Sequence, residues 1–470
     1  MPLNESPSVA AMDRFVLASP GLRAPRIAEA VPGLPTLPDL KKLARDRQAA
    51  GHPVIDQSAG DISDVGEPLS DAFVAWIPQA RDLLVQAGCS AVAPTRGDAY
   101  GYPGHYQQQY PEVVAVLARS WGWQDTPVRG LQTLSGRVVL DLTFCGLLAR
   151  AAARPPRGRP ALIIDPLAWS GYGPLAEDRG ITLVHMPAVQ GHGLAASAEG
   201  LQAALAFARD NDLDPIAALP ILPSNPTGVG MERDELRRMI EVAAAADLPV
   251  LIDGFYSPLA PEGHAQAVPM GWLEQVLPPE VLGYVGLIVG ETKVTSSQNK
   301  TGSVLWSAPI GHADVAKAVL DPAAERMRTT NCYPRPQEAM VAYALHTFAG
   351  GVHAAMGPRY LALDAARDAM RTACDELGLP LSIGSSFYGT VALVDAQGVG
   401  LLRDAQGRPL TQAGDIIEAL IGRYGLVGAP GAMFSSAPEA GSLVRLTAAV
   451  TLSDVQRVRD ILSGMLAAVS

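Results

Sequence analysis

Lys293 follows the apolar run at 284–289 and Gly290, at the end of what reads as a buried strand. Lysine carries a strongly hydrated ammonium and belongs to the surface, so taken alone it reads as a solvated loop residue. Other polar groups stand at comparable places. Asn225 sits in "PSNPTG" after "IAALPIL", Asp253 closes "PVLI" with Tyr256 three residues on, and Ser135-Gly136-Arg137 opens a helical stretch. Each has a plain structural explanation: turn chemistry for Asn225, capping for Asp253, an N-cap for Ser135. Yet an amine, an acid, an amide, a phenol and a helix N-terminus suited to a phosphate converge on one rim. Coincidence explains that set poorly.

The elements that must hold these residues are short β-rich runs alternating with amphipathic stretches. Strands are expected at 161–165, 181–186, 216–222, 249–253, 284–290 and 303–307. Helices are expected in "AEGLQAALAFARDND" and "ERDELRRMIEVAAAAD", where apolar residues recur at helical spacing. That alternation predicts an α/β fold with a mostly parallel sheet covered on both faces, and ligands in such folds bind beyond the carboxyl ends of the strands. From about residue 335 the pattern changes to two long helical runs and then "FYGTVALVDAQG", a helix near 413–425 and "SLVRLTAAVT", a smaller α+β domain. No internal repeat is evident. Before residue 50 one helix-like stretch stands out, "LPDLKKLARDRQAAG".

At 470 residues, 48% hydrophobic and 18% charged, the chain can bury a large core and suggests two domains with an arm. Its net charge of -11 is spread along the chain, which favours solubility. No Lys/Arg stripe is present, so no nucleic-acid partner is expected. The cysteines, Cys89, Cys145, Cys332 and Cys374, form no CxxC pair and read as reduced thiols of a cytoplasmic protein. The N-terminus lacks a basic start and an apolar core, so no secretory signal is expected. No apolar run approaches the roughly 18 residues that would span a membrane. The eight histidines form no HExxH or paired set, so no metal is expected. GxSxG and P-loop motifs are absent.

With these residues in view, the sequence resembles the pyridoxal-phosphate enzymes of aminotransferase fold type I, class I/II, from about residue 40 to the C-terminus. The resemblance rests on "SNPTG", "DGFY" and Lys293 with its polar loop, "APGAMF" with "SLVRLTAAV", "DPLAWSGYGP", "VIDQSAGD" and "DAYGYPG", in family-like order. It implies an arm and helix over 1–52, a large cofactor-binding domain over 53–334 with a seven-stranded-type sheet, and a small domain over 335–470. It implies pyridoxal 5'-phosphate as cofactor. Lys293 would hold it as a Schiff base and move protons, and Asp253 would pair with the pyridine nitrogen so that the ring acts as an electron sink. Asn225 and Tyr256 would bond the ring's 3-oxygen, and Trp169 would stack on its face. Ser135, Gly136 and Arg137 would cradle the phosphate. Arg445 would grip the α-carboxylate of an amino-acid substrate through a bidentate fork, with Gly60 in the substrate-side loop. Tyr100 would reach the phosphate of a neighbouring subunit, which implies a homodimer with active sites at the interface.

Departures from the family pattern cluster near the substrate entrance. Gly-Glu-Thr precedes the lysine where the family has S-x-S, and Lys300 stands where an arginine usually holds the phosphate. Lys300 is therefore a cofactor-binding candidate, and a rival for the Schiff base. The long arm, an insertion at 395–412 and "HYQQQYPEV" in place of an L-R pair are further differences. The resemblance implies transamination through an external aldimine and a quinonoid. The same scaffold also supports elimination, replacement, C–C bond formation or cyclisation. A pyridoxal-phosphate-binding regulator is a third reading, but the basic helix-turn-helix it would need is missing from residues 1–50.

Overall fold

The structure, a computed structural model, describes residues 6–18, 24–29, 33–58, 71–86, 111–155, 157–189, 192, 194–259, 268–294, 300–312, 314–347, 352–384, 386, 388–395 and 397–467. In chain order the first elements are α1 (Pro7–Ala18), β1 (Arg26–Ile27), α2 (Leu37–Ala49), β2 (Ile55–Asp56), α3 (Asp71–Gln86), α4 (Pro111–Ser120) and β3 (Val128–Thr133). Then come α5 (Gly136–Ala152), β4 (Arg159–Ile164), α6 (Tyr172–Glu177), β5 (Thr182–His185), α7 (Ala198–Asp210), β6 (Leu213–Leu219), α8 (Arg233–Ala245) and β7 (Val250–Asp253). The middle of the chain holds α9 (Met270–Val276), α10 (Pro279–Leu282), β8 (Val285–Val289), β9 (Gly302–Ser307), α11 (Val315–Thr330), α12 (Pro336–Thr347) and α13 (Val352–Leu377). The last are β10 (Leu381–Ile383), β11 (Tyr388–Ala392), α14 (Ala413–Glu418), β12 (Leu426–Val427), β13 (Ala429–Pro430), β14 (Leu443–Thr447) and α15 (Leu452–Ala467).

The expected α/β fold is the one the chain adopts. Strands β5, β4, β6, β7 and β8 pair in parallel, in that order. Every residue of β7, β8 and β9 is buried, which is why they read as unbroken apolar runs. Antiparallel β9 and β3 extend one side, and the two-residue β1 pairs with β5 on the other. The central sheet therefore has eight strands. Seven have four or more residues, and the two-residue eighth, β1, is a contribution of the N-terminal arm. A second sheet, β10-β11-β14-β13, is antiparallel and packs under α13 and α15. Among the described residues no helix is long and apolar enough to cross a membrane.

The N-terminal segment holds more structure than its sequence advertises. Besides α2, whose Thr36 and Asp39 form a reciprocal capping box, it folds α1 against β10 and α13. Ser6 Oγ and the Ser8 amide both donate to Asp375 Oδ1 at 2.7 Å, and Met12 packs with Leu167 and Phe434. In the insertion, Asp395 and Asp404, each the first residue of an Asp-Ala-Gln-Gly sequence, each close a turn within a short antiparallel bridge. Asp395 Oδ1 accepts from the amides of Gln397 and Val399 at 2.9 and 2.8 Å. Asp404 repeats the pattern with Gln406 and Arg408 at the same distances. This is the local turn chemistry of aspartate, used twice.

Candidate active site

Polar side chains collect at the carboxyl ends of the parallel strands. Beyond β6, the turn around Asn225 is closed by the Gly228 amide, which donates to Ser224 O at 2.8 Å. Gly228 has φ +76°, and a Cβ there would lie 2.0 Å from Tyr388 O, so only glycine fits. The turn holds Asn225 2% exposed. Its Nδ2 donates to the Tyr256 hydroxyl at 3.2 Å, and its Oδ1 accepts from Arg445 Nη1 at 2.8 Å. Arg445, on β14 of the small sheet and 6% exposed, also donates through Nη2 to Ser58 O. Its guanidinium lies 4.2 Å from the Tyr388 ring centroid and 5.1 Å from that of Phe434. Its Nε is buried with no hydrogen-bond partner among the described residues.

Asp253 ends β7 with 5% exposure. Its Oδ2 accepts from the Tyr172 hydroxyl at 2.6 Å and its Oδ1 from the Phe255 amide at 3.2 Å. Burial pushes its carboxyl above the ordinary range, and these two donors oppose that rise. The Tyr172 hydroxyl is itself pushed well up, by burial first and then by Asp253, so it stays a donor. Trp169 sits edge-on to Tyr172, with centroids 5.3 Å apart at 86°, and Arg137 lies 5.4 Å from the Trp169 ring. After β8, Lys293 is half-buried, its Nζ 5.4 Å from the Tyr256 ring centroid. Tyr256 in turn meets Tyr388 edge-on at 5.4 Å.

Ser135 is the N-cap of α5, its hydroxyl accepting from the Val138 amide at 3.3 Å. The amides of Gly136 and Arg137 fall in the first turn, where no preceding helical carbonyl can take them. A Cβ on Gly136 would lie 2.4 Å from the Phe255 ring, so glycine lets that ring tuck beneath the helix start.

Of the residues singled out in the sequence, Arg445, Asn225, Tyr256 and Lys293 form one contact chain, and Asp253, Trp169 and Arg137 form a second through Tyr172, with Ser135 and Gly136 at the α5 start beside Arg137. Lys300 is exposed and, among the described residues, shares none of these contacts. Gly60 and Tyr100 lie outside the described residues. Sequence reasoning missed Tyr172, Tyr388 and Asp165. Tyr172 was visible as the phenol three residues past Trp169, but its partner is 81 positions away. Asp165, just past β4, is buried 1% exposed. Its carboxyl is pushed well up by burial, with Asp253 adding to the rise.

Asp165 also fixes a pH-sensitive neighbour. His185 Nδ1 donates to Asp165 O at 2.7 Å, and burial lowers the imidazole from 6.5 to about 4. Between those values the unfolded chain takes up a proton here that the folded chain refuses. Stability from this group is intact above pH 6.5 and falls as pH drops toward 4, by about 3 kcal/mol in full. His185→Gln is expected to lose about 2 kcal/mol less than the parent between pH 7.5 and 4.5, in denaturant titrations at each pH. Parallel pH curves for the two proteins would remove His185 from the acid limb.

This arrangement defines an α/β protein with a charged, aromatic-walled site between its sheets. Solved structures share the fold. An aspartate aminotransferase from Rhizobium meliloti superposes with TM-score 0.68 at 16% identity, covering 93% of this chain and 97% of that one. An aspartate aminotransferase from Thermus thermophilus with maleate gives 0.66 at 16%, covering 96% and 99%. The chain belongs to the aminotransferase class I and II family, whose sequence pattern matches residues 64–462, and it is an enzyme of that family. Members of the family depend on pyridoxal phosphate. A Mycobacterium tuberculosis (strain CDC 1551 / Oshkosh) protein described as "Putative cystathionine beta-lyase" is 29% identical over 199 residues, 41% of this chain and 46% of that protein. The match thus spans about half the length of that relative.

Proposed function

We propose that this chain uses pyridoxal 5'-phosphate to transaminate an amino acid. The observation that supports this most is the Arg445–Asn225–Tyr256 hydrogen-bond chain with Lys293 beside the Tyr256 ring, which joins a cation for a carboxylate to an amine for a carbonyl. The donor set fits the cofactor: a buried acid for a ring nitrogen, an amide–phenol pair for a ring oxygen, an indole for a ring face, and free helix amides for a phosphate. Bound cofactor supplies an electron sink for the charge left when the substrate's α-proton departs.

In this reading Lys293 would hold the cofactor and its amine would move the substrate's α-proton. Asp253, held by Tyr172, would pair with the ring nitrogen and favour its protonated form. Asn225 and Tyr256 fix the ring oxygen, and Trp169 fixes the ring face. The amides of Ser135, Gly136 and Arg137 take the phosphate, with Lys300 as a further cation. Arg445 would take the substrate carboxylate, its Nε having no hydrogen-bond partner among the described residues, and Gly60 would be a further substrate-side residue. Tyr100 would come from a neighbouring subunit, so the reading includes a cytoplasmic homodimer.

A second reading, a lyase that expels a side-chain group, is favoured by the cystathionine beta-lyase relative and by the Gly-Glu-Thr before Lys293. One experiment separates them. With amino acid alone, a transaminase is expected to stop after one turnover per site and to resume only when a keto acid is added. Continuous turnover without an acceptor, with a side-chain fragment among the products, would establish the lyase instead. Arg445→Lys should raise KM about tenfold or more in either case, since the two-pronged contact is lost. An unchanged KM would remove Arg445 from the substrate.

A further inference from the structure

The turn that carries Lys293 is held from behind by a buried carboxylate two residues earlier. Glu291 is 1% exposed. Its Oε2 accepts from Thr301 Oγ1, and its backbone amide donates to the same hydroxyl at 3.4 Å. Its Oε1 lies 3.3 Å from His346 Nε2 on α12, an imidazole whose side chain is 4% exposed. On the other ring nitrogen, His346 Nδ1 meets Ser120 Oγ at 2.7 Å, at the end of α4. The turn is closed by the Val294 amide, which donates to Glu291 O at 2.9 Å, and is gripped on its far side by Arg359 Nη1, which donates to Val294 O at 2.8 Å.

A carboxylate buried to this degree costs several kcal/mol in lost hydration, and an apolar side chain of similar volume would pack at least as well. Apolar packing, however, fixes no direction. A directional hydrogen bond from Thr301 at the strand start, with the close approach of His346 from α12 on the other carboxylate oxygen, fixes the rotation of the turn as well as its place. Lys293 lies two residues along that turn, and a four-carbon side chain multiplies a small rotation at its root into a large displacement of Nζ.

We propose that Glu291, anchored by Thr301 and His346, is a positioning residue for Lys293. It sets how readily the lysine nitrogen attacks the carbonyl carbon of pyridoxal phosphate, a condensation in which C=N replaces C=O and water leaves. This rests on Lys293 being the linking residue, as proposed above. The test uses apoprotein of the full chain, Glu291→Gln and Thr301→Val. Two readouts are compared: the affinity for pyridoxine 5'-phosphate, which lacks the aldehyde, and the rate at which borohydride-trappable label appears at Lys293 after pyridoxal phosphate is added.

Both variants are expected to slow labelling tenfold or more while the affinity for the analogue stays within twofold of the parent. A general loosening of the fold would weaken both readouts together, and that result, or unchanged rates in both variants, overturns the inference. Should Glu291→Gln not fold, Thr301→Val decides alone, because it leaves the carboxylate and His346 in place. Label at a residue other than Lys293 in the parent would instead sink the underlying reading, which keeps the two failures distinct.

Discussion

Lys293→Ala is expected to abolish the borohydride-trappable link and to cut turnover on the order of 10^4-fold, the upper range for loss of a positioned acid–base group. Cofactor should still bind, because the amide–phenol pair of Asn225 and Tyr256 and the α5 amides do not depend on the amine. Lys300→Ala is the control. Lys300 is exposed and apart from the contact chain, so its loss should weaken cofactor affinity modestly and leave the link intact. Peptide mapping of the reduced protein reads the outcome directly. Label on Lys300 would shift the register of the whole lysine loop and overturn the assignment of Lys293.

Asp253→Asn is expected to lower turnover on the order of 10^2- to 10^3-fold with the cofactor still linked. Asparagine keeps the shape: its Oδ1 can accept from the Phe255 amide while its Nδ2 donates to the Tyr172 hydroxyl, which turns from donor to acceptor, so the fold should be undisturbed. What it removes is the negative charge that would keep a proton on the ring nitrogen. Tyr172→Phe should act in the same direction but less, about tenfold, the value of one hydrogen bond to a charged group. Burial already pushes the Asp253 carboxyl upward, and without the phenol it would rise further. Turnover should then fall off at a higher pH in Tyr172→Phe than in the parent. Near-normal activity of Asp253→Asn would sink the electron-sink assignment.

Legibility in the sequence followed the physics of each element. Strands β6, β7, β8 and β9 were readable because their residues are buried on both faces, which leaves runs of apolar residues ending abruptly at Asn225, Asp253 and Lys293. α5 was readable from Ser135 and the glycine after it. Helix α1 was not, since its stability comes from docking on α13 and β10 rather than from a local signal, and β1 is two residues long. Tyr172 and Tyr388 were hidden for a related reason. A tyrosine carries no mark of its partner, and theirs lie across the fold on other strands. Glu291 was visible only as a departure from a familiar pattern; its meaning depends on His346, which arrives 55 residues later.

The Arg445 guanidinium and the Ser58 carbonyl are separated by 387 positions, and α1 rests on Asp375. Parallel pairing of β2 with β12 closes the same long span. As the chain emerges from the ribosome, the central sheet can therefore assemble while α1 and β2 still wait for Asp375 and β12. Contacts of such span form late and carry a loop-closure cost. The Arg445–Ser58 contact is thus among the last to exist. A nascent chain stalled between β9 and β14 would hold Asn225, Asp253 and Lys293 without Arg445, the residue proposed to grip the substrate carboxylate. On the proposed role of Arg445, an incomplete molecule is expected to stay inactive until β14 is made.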